Sequence, residues 1–290
     1  MNLKSRIAPT PSGYLHLGNA FNFLLTWWLV RQSKGVLQLR IDDVDAPRIQ
    51  PEYLNDVFYT LEWLGIDWDE GPFSAEQHRK EFSMQLRLPE YRAHLLYLIE
   101  QNVVYACTCS RSDVAKGLSC NCVKKHKTAL PQKKFAYKMK TDNAVTSYTD
   151  GWSGYQTAIL HEVMPNFVVW RNDNLPAYQL FSVIEDNRSG VNAIVRGEDL
   201  LHTTAAQLFL ADKLGMQSFH QVQFYHHPLL TDSNGSKLSK SAGSLSLKNI
   251  RESGQSAQQV LQSFSNWLKL KTPVCQAKEL LDISINVVCF

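Results

Sequence analysis

Residues 3–31 read LKSRIAPTPSGYLHLGNAFNFLLTWWLVR, and this stretch decides the fold. Its first six residues can extend as a strand, and the run Pro9-Thr10-Pro11-Ser12-Gly13 stops it. Residues 19–31, dense in Phe, Leu and Trp, read as a helix that is apolar on most of its surface and therefore buried. Between the two lies Pro11-Ser12-Gly13-Tyr14-Leu15-His16-Leu17-Gly18-Asn19. A Gly-containing turn there lets backbone approach a ligand closely, and the helix N-terminus offers free N–H groups and partial positive charge to an anion. His16 is placed to hydrogen-bond a phosphate; the bland alternative is a satisfied surface histidine.

Downstream, strands and helices keep alternating, the rhythm of a parallel sheet with crossovers. Residues 36–41 form a second strand ending in Asp42, Asp43 and Asp45, so carboxylates stand at a strand's carboxyl end, where open α/β sheets place ligands. Leu54, Val57, Phe58, Leu61 and Leu64 recur at helical spacing before Gly65, and a second helical pattern covers residues 91–99. From 103 to 166 the texture changes to short segments rich in Cys, Lys, Gly and Ser. The α/β pattern then returns, with strands at 167–170, 193–195 and 221–225 and helices from Pro176 and over 203–214. The expected organisation is an α/β catalytic domain in two halves, 1–102 and 167–250, an inserted subdomain at 103–166 and a short extension at 251–290. No structure is assigned beyond Lys271.

A chain of 290 residues and 33.1 kDa can bury a sizeable core, so its six cysteines are not needed as staples. Lys+Arg 30 against Asp+Glu 27 leaves +3, which excludes nucleic-acid binding through bulk charge and leaves only local patches, such as the lysines at 124, 125, 127, 133 and 134. The longest apolar stretch, 21–30, is about half the ~20 residues a membrane span requires, and no signal core opens the chain. A cytoplasmic location follows as the expectation, with reduced thiols.

Cys107, Cys109, Cys120 and Cys122 fall within sixteen residues as two close pairs, able to present four thiolates to one tetrahedral Zn²⁺, with His126 as a reserve ligand. Chance clustering of reduced thiols is the alternative. Cys275 and Cys289 read as incidental. Ser236-Lys237-Leu238-Ser239-Lys240-Ser241 puts two lysines three apart among small residues, a cationic loop able to neutralise charge on a polyphosphate.

The pairing of a Pro-Ser-Gly-x-Leu-His-x-Gly turn after the first strand with a Lys-Leu-Ser-Lys-Ser loop after the last resembles the H-I-G-H and K-M-S-K-S signatures of class I aminoacyl-tRNA synthetases. Arg6-Ile7-Ala8-Pro9-Thr10-Pro11, Leu39-Arg40-Ile41-Asp42-Asp43-Val44-Asp45, Trp63-Leu64-Gly65-Ile66-Asp67-Trp68-Asp69-Glu70-Gly71-Pro72, Leu175-Pro176-Ala177-Tyr178-Gln179-Leu180 and Ile194-Val195-Arg196-Gly197-Glu198-Asp199-Leu200 are similar to the glutamyl branch. The likeness covers about residues 4–250. Only 49 residues follow Ser241, too few for an anticodon-reading domain, so the chain resembles the short glutamyl-queuosine tRNA(Asp) synthetase family.

That resemblance implies a Rossmann-type sheet, ATP with Mg²⁺, glutamate and tRNA(Asp) as partners, and a monomer. It implies that Arg6 and Arg196 bind glutamate carboxylates beside Ala8, Thr10 and Tyr178, and that Asp42 holds the ammonium. His16, Gly18, Asn19, Lys237 and Lys240 serve ATP, with His16, Lys237 and Lys240 stabilising charge during transfer. Three departures stand out. Asp42 replaces the family's Glu, Asn19 replaces the second His of H-I-G-H, and Cys120 and Cys122 stand where the family's later zinc ligands are a Tyr and a Cys. Alternative readings are a truncated paralogue that passes an activated amino acid to another acceptor, such as a protein lysine or a small molecule, and a non-catalytic RNA-binding paralogue.

Overall fold

The structure, a computed structural model, describes residues 2–45, 48–109, 120, 122, 135–143, 145–230 and 246–285. Strand β1 (Lys4–Ile7) pairs in parallel with β2 (Val36–Leu39), Lys4 opposite Val36 through Ile7 opposite Leu39. The crossover between them is α1 (Leu17–Gln32), which buries Ala20, Phe21 and all of residues 23–30. Side chains such as Leu24 and Leu25, fully buried, each stabilise the fold by about 1.5–3 kcal/mol. A helix apolar all round needs cover on both sides. The sheet covers one side of α1. The other is covered by α6 (Ala257–Trp267), through an edge-on Phe21–Phe264 contact at 5.3 Å, and by the 3₁₀ turn Ala277–Asp282. Structure therefore extends past Lys271, where the sequence pattern assigned none. The Trp28 indole donates to the Ile283 carbonyl at 3.1 Å and ties this segment to α1.

Helix α2 (Pro51–Leu64) opens on Pro and is closed by Gly65 at φ 73°, the left-handed cap its sequence called for. Helix α3 (Leu88–Glu100) follows. Strands β3 (Val104–Cys107), β4 (Ala136–Met139) and β7 (Val168–Trp170) form an antiparallel sheet. The hairpin β5 (Val145–Asp150) and β6 (Gly154–Ile159) extends the second parallel unit, β8 (Ala193–Gly197) with β9 (Gln223–His227), through the pair Asp150–Phe224. Strands from 103–166 thus hydrogen-bond to strands that come after them in the chain. Helices α4 (Tyr178–Arg188) and α5 (Leu201–Lys213) flank β8 in sequence and pack on each other in a second core with Phe224 and Ile194.

Asn192 stitches the two parallel units side by side. Its Oδ1 accepts from the Lys4 N–H at 2.7 Å and its own N–H donates to the Lys4 carbonyl at 3.0 Å. The strand sequence across this seam is β2, β1, β8, β9. The crossover from β1 runs outward to β2 and the one from β8 runs outward the other way to β9, so the carboxyl ends of β1 and β8 flank a topological switch point. No helix among the described residues is long and apolar enough to cross a membrane.

Candidate active site

The switch point opens into a cavity of about 460 Å³. All nine described residues that the sequence singled out for glutamate and ATP line it: Arg6, Ala8, Thr10, His16, Gly18, Asn19, Asp42, Tyr178 and Arg196. Lys237 and Lys240 lie outside the described residues. The chain on either side of them is anchored at this cavity. Leu229 and Leu230 line it, Ser246 bridges to His16, and the Leu247 N–H donates to the Leu15 carbonyl at 2.7 Å.

His16 caps α1, and Asn19 Oδ1 accepts the His16 backbone N–H at 3.0 Å, so it is the Nδ2 end of Asn19 that can serve an anion. The imidazole of His16 lies over Gly18, where a Cβ would come within 3.0 Å of the ring Cε1. Glycine at this one position lets histidine and helix N-terminus share the same space.

Two arginines face the cavity from adjacent strands. Arg6, on β1, donates through Nε to Asp186 Oδ1 of α4 at 2.9 Å. Asp186 also accepts from Arg40, whose Nε reaches Asp42 Oδ1 at 2.7 Å. The chain Arg6–Asp186–Arg40–Asp42 alternates in sign and each member is at most 6% exposed. Burial would raise the Asp186 carboxyl, but Arg40 and Arg6 hold it below the usual carboxylate range. For Asp42 burial wins over Arg40 and the carboxyl is raised.

Arg196, on β8, is held differently. Its Nε donates to His226 Nε2 at 3.2 Å, Nη1 to Gln207 Oε1 at 2.8 Å and Nη2 to Thr204 Oγ1. It is 5% exposed, and among the described residues no carboxylate forms an ion pair with it. Burial pulls its pKa below the ordinary guanidinium value, Tyr178 opposes this, and the Arg6 charge adds to it. Since the Arg6 chain carries two positive and two negative charges, Arg196 is a surplus buried cation aimed at a cavity, and such a charge favours an anionic ligand.

The sequence reading missed Asn22 and His227, which also line the cavity and meet at 3.1 Å between Nδ2 and Nε2. It also missed Asp150 and His226 beneath Arg196. The signal was available, since His226-His227-Pro228 ends a strand on the ligand side of a parallel sheet.

Away from the cleft, Cys107, Cys109, Cys120 and Cys122 converge, with all four Sγ atoms within 4.8 Å of one another, 3.6 Å between Cys107 and Cys120 and 3.7 Å between Cys109 and Cys122. A tetrahedral zinc with Zn–S of about 2.3 Å sets its sulfurs about 3.8 Å apart, so the spacing fits one such ion. Tyr105 packs against the cluster and Cys107 and Cys122 are buried. His126 lies outside the described residues.

A ligand cleft at the switch point of a parallel sheet, with a helix N-terminus on one side and strand-end arginines on the other, defines a nucleotide-binding α/β enzyme class. The chain belongs to the family of class I tRNA synthetases (E and Q), catalytic domain, whose model matches residues 2–270. It is 33% identical over 87% of its length to a glutamyl-Q tRNA(Asp) synthetase of Nitratidesulfovibrio vulgaris, covering 82% of that protein. It is 34% identical over 88% of its length to a glutamate–tRNA ligase 2 of Acidithiobacillus ferrooxidans, and there it spans about half the relative, 55%. A crystal structure of the glutamate–tRNA synthetase from Elizabethkingia anophelis superposes with a TM-score of 0.79 over 100% of this chain and 67% of that one, at 19% identity, which shows the fold.

Proposed function

We propose that the protein activates glutamate with ATP and transfers the glutamyl group to queuosine in the anticodon of tRNA(Asp). The observation that carries the glutamate half is Arg196, a buried guanidinium with neutral partners that faces a cavity shared with Arg6. Two strand-end guanidinium forks suit a ligand with two carboxylates. Asp42 takes the ammonium: a carboxylate has about four lone-pair sites, and Arg40 uses two. Ala8, Thr10 and Tyr178 line the same cavity beside them. The acceptor half rests on the Nitratidesulfovibrio vulgaris relative, a glutamyl-Q tRNA(Asp) synthetase.

ATP enters as its Mg²⁺ complex with its phosphates at the N-terminus of α1, beside His16, Gly18 and Asn19. The glutamate carboxylate attacks the α-phosphorus, a P–O bond forms as the bond to pyrophosphate breaks, and His16 with Lys240 and Lys237 stabilises the charge moving onto the leaving group. A hydroxyl of the modified nucleoside then displaces AMP. Cys107, Cys109, Cys120 and Cys122 would hold one structural Zn²⁺, which when bound crosslinks β3 to the segment after it.

The deciding experiment is ATP–pyrophosphate exchange with glutamate in the absence of tRNA, followed by transfer of labelled glutamate to tRNA(Asp) with and without queuosine. Exchange that requires glutamate and labelling that requires queuosine are expected. Exchange with labelling of another acceptor would replace the acceptor half, and no exchange would overturn the reading.

A further inference from the structure

Arg196 is held by a device that neither its own strand nor the cavity wall supplies. Behind it, away from solvent, lies His226 of β9, fully buried, with Nδ1 at 2.6 Å from Asp150 Oδ2 of β5. Asp150 Oδ1 accepts backbone N–H groups of Trp152 at 3.0 Å, Ser153 at 2.8 Å and His226 at 3.2 Å. Burial works against this carboxylate, and those donors together with His226 hold it below the usual carboxylate range, so it is an acceptor only. His226 must therefore carry its proton on Nδ1, and its Nε2 lone pair is what Arg196 Nε donates to at 3.2 Å.

We infer that Asp150 and His226 are positioning residues for the anion-binding arginine: Asp150 fixes the His226 tautomer, and the Nε2 lone pair so presented aims the Arg196 guanidinium into the cleft. This rests on the glutamate reading of Arg196. The two hydrogen bonds form a relay across three strands, β5 to β9 to β8, that could not be assembled within one local segment. Phe224 backs it, stacked under the His226 ring at 6.3 Å and under the Arg196 guanidinium at 5.3 Å.

The charged and titratable groups around His226 are Asp150 and Tyr148 from β5, Arg196 from β8, Asp199 from the turn after β8, and His227 next to it. Helix α5 contributes only neutral groups, Thr204, whose Oγ1 lies 3.0 Å from Nε2, and Gln207. A second proton on the ring would put an N–H against the Arg196 Nε–H. Burial and the Arg196 charge oppose that proton while Asp150 favours it, and the net is a His226 pKa below 6.5. Glutamate binding is therefore expected to weaken as pH falls through that lowered pKa.

The test combines two readouts. In ¹⁵N histidine NMR, wild-type His226 is expected as the Nδ1–H tautomer and Asp150→Asn as Nε2–H, because the amide of Asn donates where the carboxylate accepted. In pyrophosphate exchange, Asp150→Asn is expected to raise the glutamate KM about tenfold or more, the loss of a hydrogen bond to a charged group, while the ATP KM stays within about twofold. His226→Gln, whose Oε1 reaches the Nε2 position, keeps the glutamate KM and loses its acid limb. His226→Asn reaches only the Nδ1 position and raises it. A wild-type Nε2–H tautomer, an unchanged glutamate KM in both Asp150→Asn and His226→Asn, or a joint rise of both KM values overturns the inference. A wild-type chain with the Nδ1–H tautomer but no glutamate-dependent exchange would uphold the tautomer relay and overturn the glutamate reading instead.

Discussion

Arg6 and Arg196 line one cavity from neighbouring parallel strands, yet they are held in opposite ways. Arg6 ends a run of alternating charges, with Asp186, Arg40 and Asp42 cancelling in pairs. Arg196 rests on a histidine, an amide and a hydroxyl, all neutral. The contrast separates two requirements of a binding site. A compensated network fixes geometry and leaves little net field. An uncompensated cation costs folding free energy and recovers it when an anion arrives, so the surplus charge marks where the ligand's own charge belongs.

The largest effect should come from Arg196→Met, which removes the surplus charge and keeps much of the volume. Loss of one partner from a buried charged pair costs about 2–5 kcal/mol, so kcat/KM for glutamate in exchange should fall by about thirtyfold or more. The same variant should leave the denaturation midpoint unchanged or raised, because an unpaired buried cation is gone. Equal loss of glutamate and ATP affinity would break the comparison.

Arg40→Met should do the reverse. It strands Asp42 in a buried site and leaves Asp186 with Arg6 alone, and the expected destabilisation is about 3–5 kcal/mol, read as a lower urea midpoint at unchanged slope. If Arg40→Met proved as well tolerated as Arg196→Met, the two sides would not differ in the way argued.

The smallest effects are in pH. His226 and His227 are buried and have folded pKa values below 6.5. The unfolded chain then binds more protons than the folded one as pH falls below 6.5, so stability declines from there down to the folded values. Asp186, whose folded pKa is depressed, supports the fold above the ordinary carboxylate value and loses that support as pH falls below about 3.8. Thermal midpoints taken from pH 7.5 to 3 should show two separate losses. Arg196→Met should shrink the upper one, since the Arg196 charge is part of what depresses His226. A single loss confined to the acid carboxylate range would contradict this.

The strand–turn–helix start was legible because its signals are local. Pro and Gly break the strand, the apolar density of residues 19–31 demands burial, and Gly65 caps a helix it directly follows. The cysteine pairs were legible too, since ligand spacing is a property of sequence distance. Structure past Lys271 was not, because the turn at 277–282 is weak by itself and exists as cover for α1. Asp150, Thr204 and Gln207 were invisible for the same reason. Each is an ordinary polar residue until the sheet brings it beneath Arg196.

The sequence by itself therefore determined the α/β class, the nucleotide turn, the candidate ligand arginines and the thiol cluster, all carried by residue type and short spacing. The tertiary structure alone decided which arginine keeps its charge for a ligand. That depends on whether buried carboxylates from distant segments reach it, and Asp186 lies 180 residues from Arg6 in the chain while, among the described residues, the side chains that hydrogen-bond Arg196 are neutral. Electrostatic balance in a buried site is set by distances in space, and a linear sequence does not contain them.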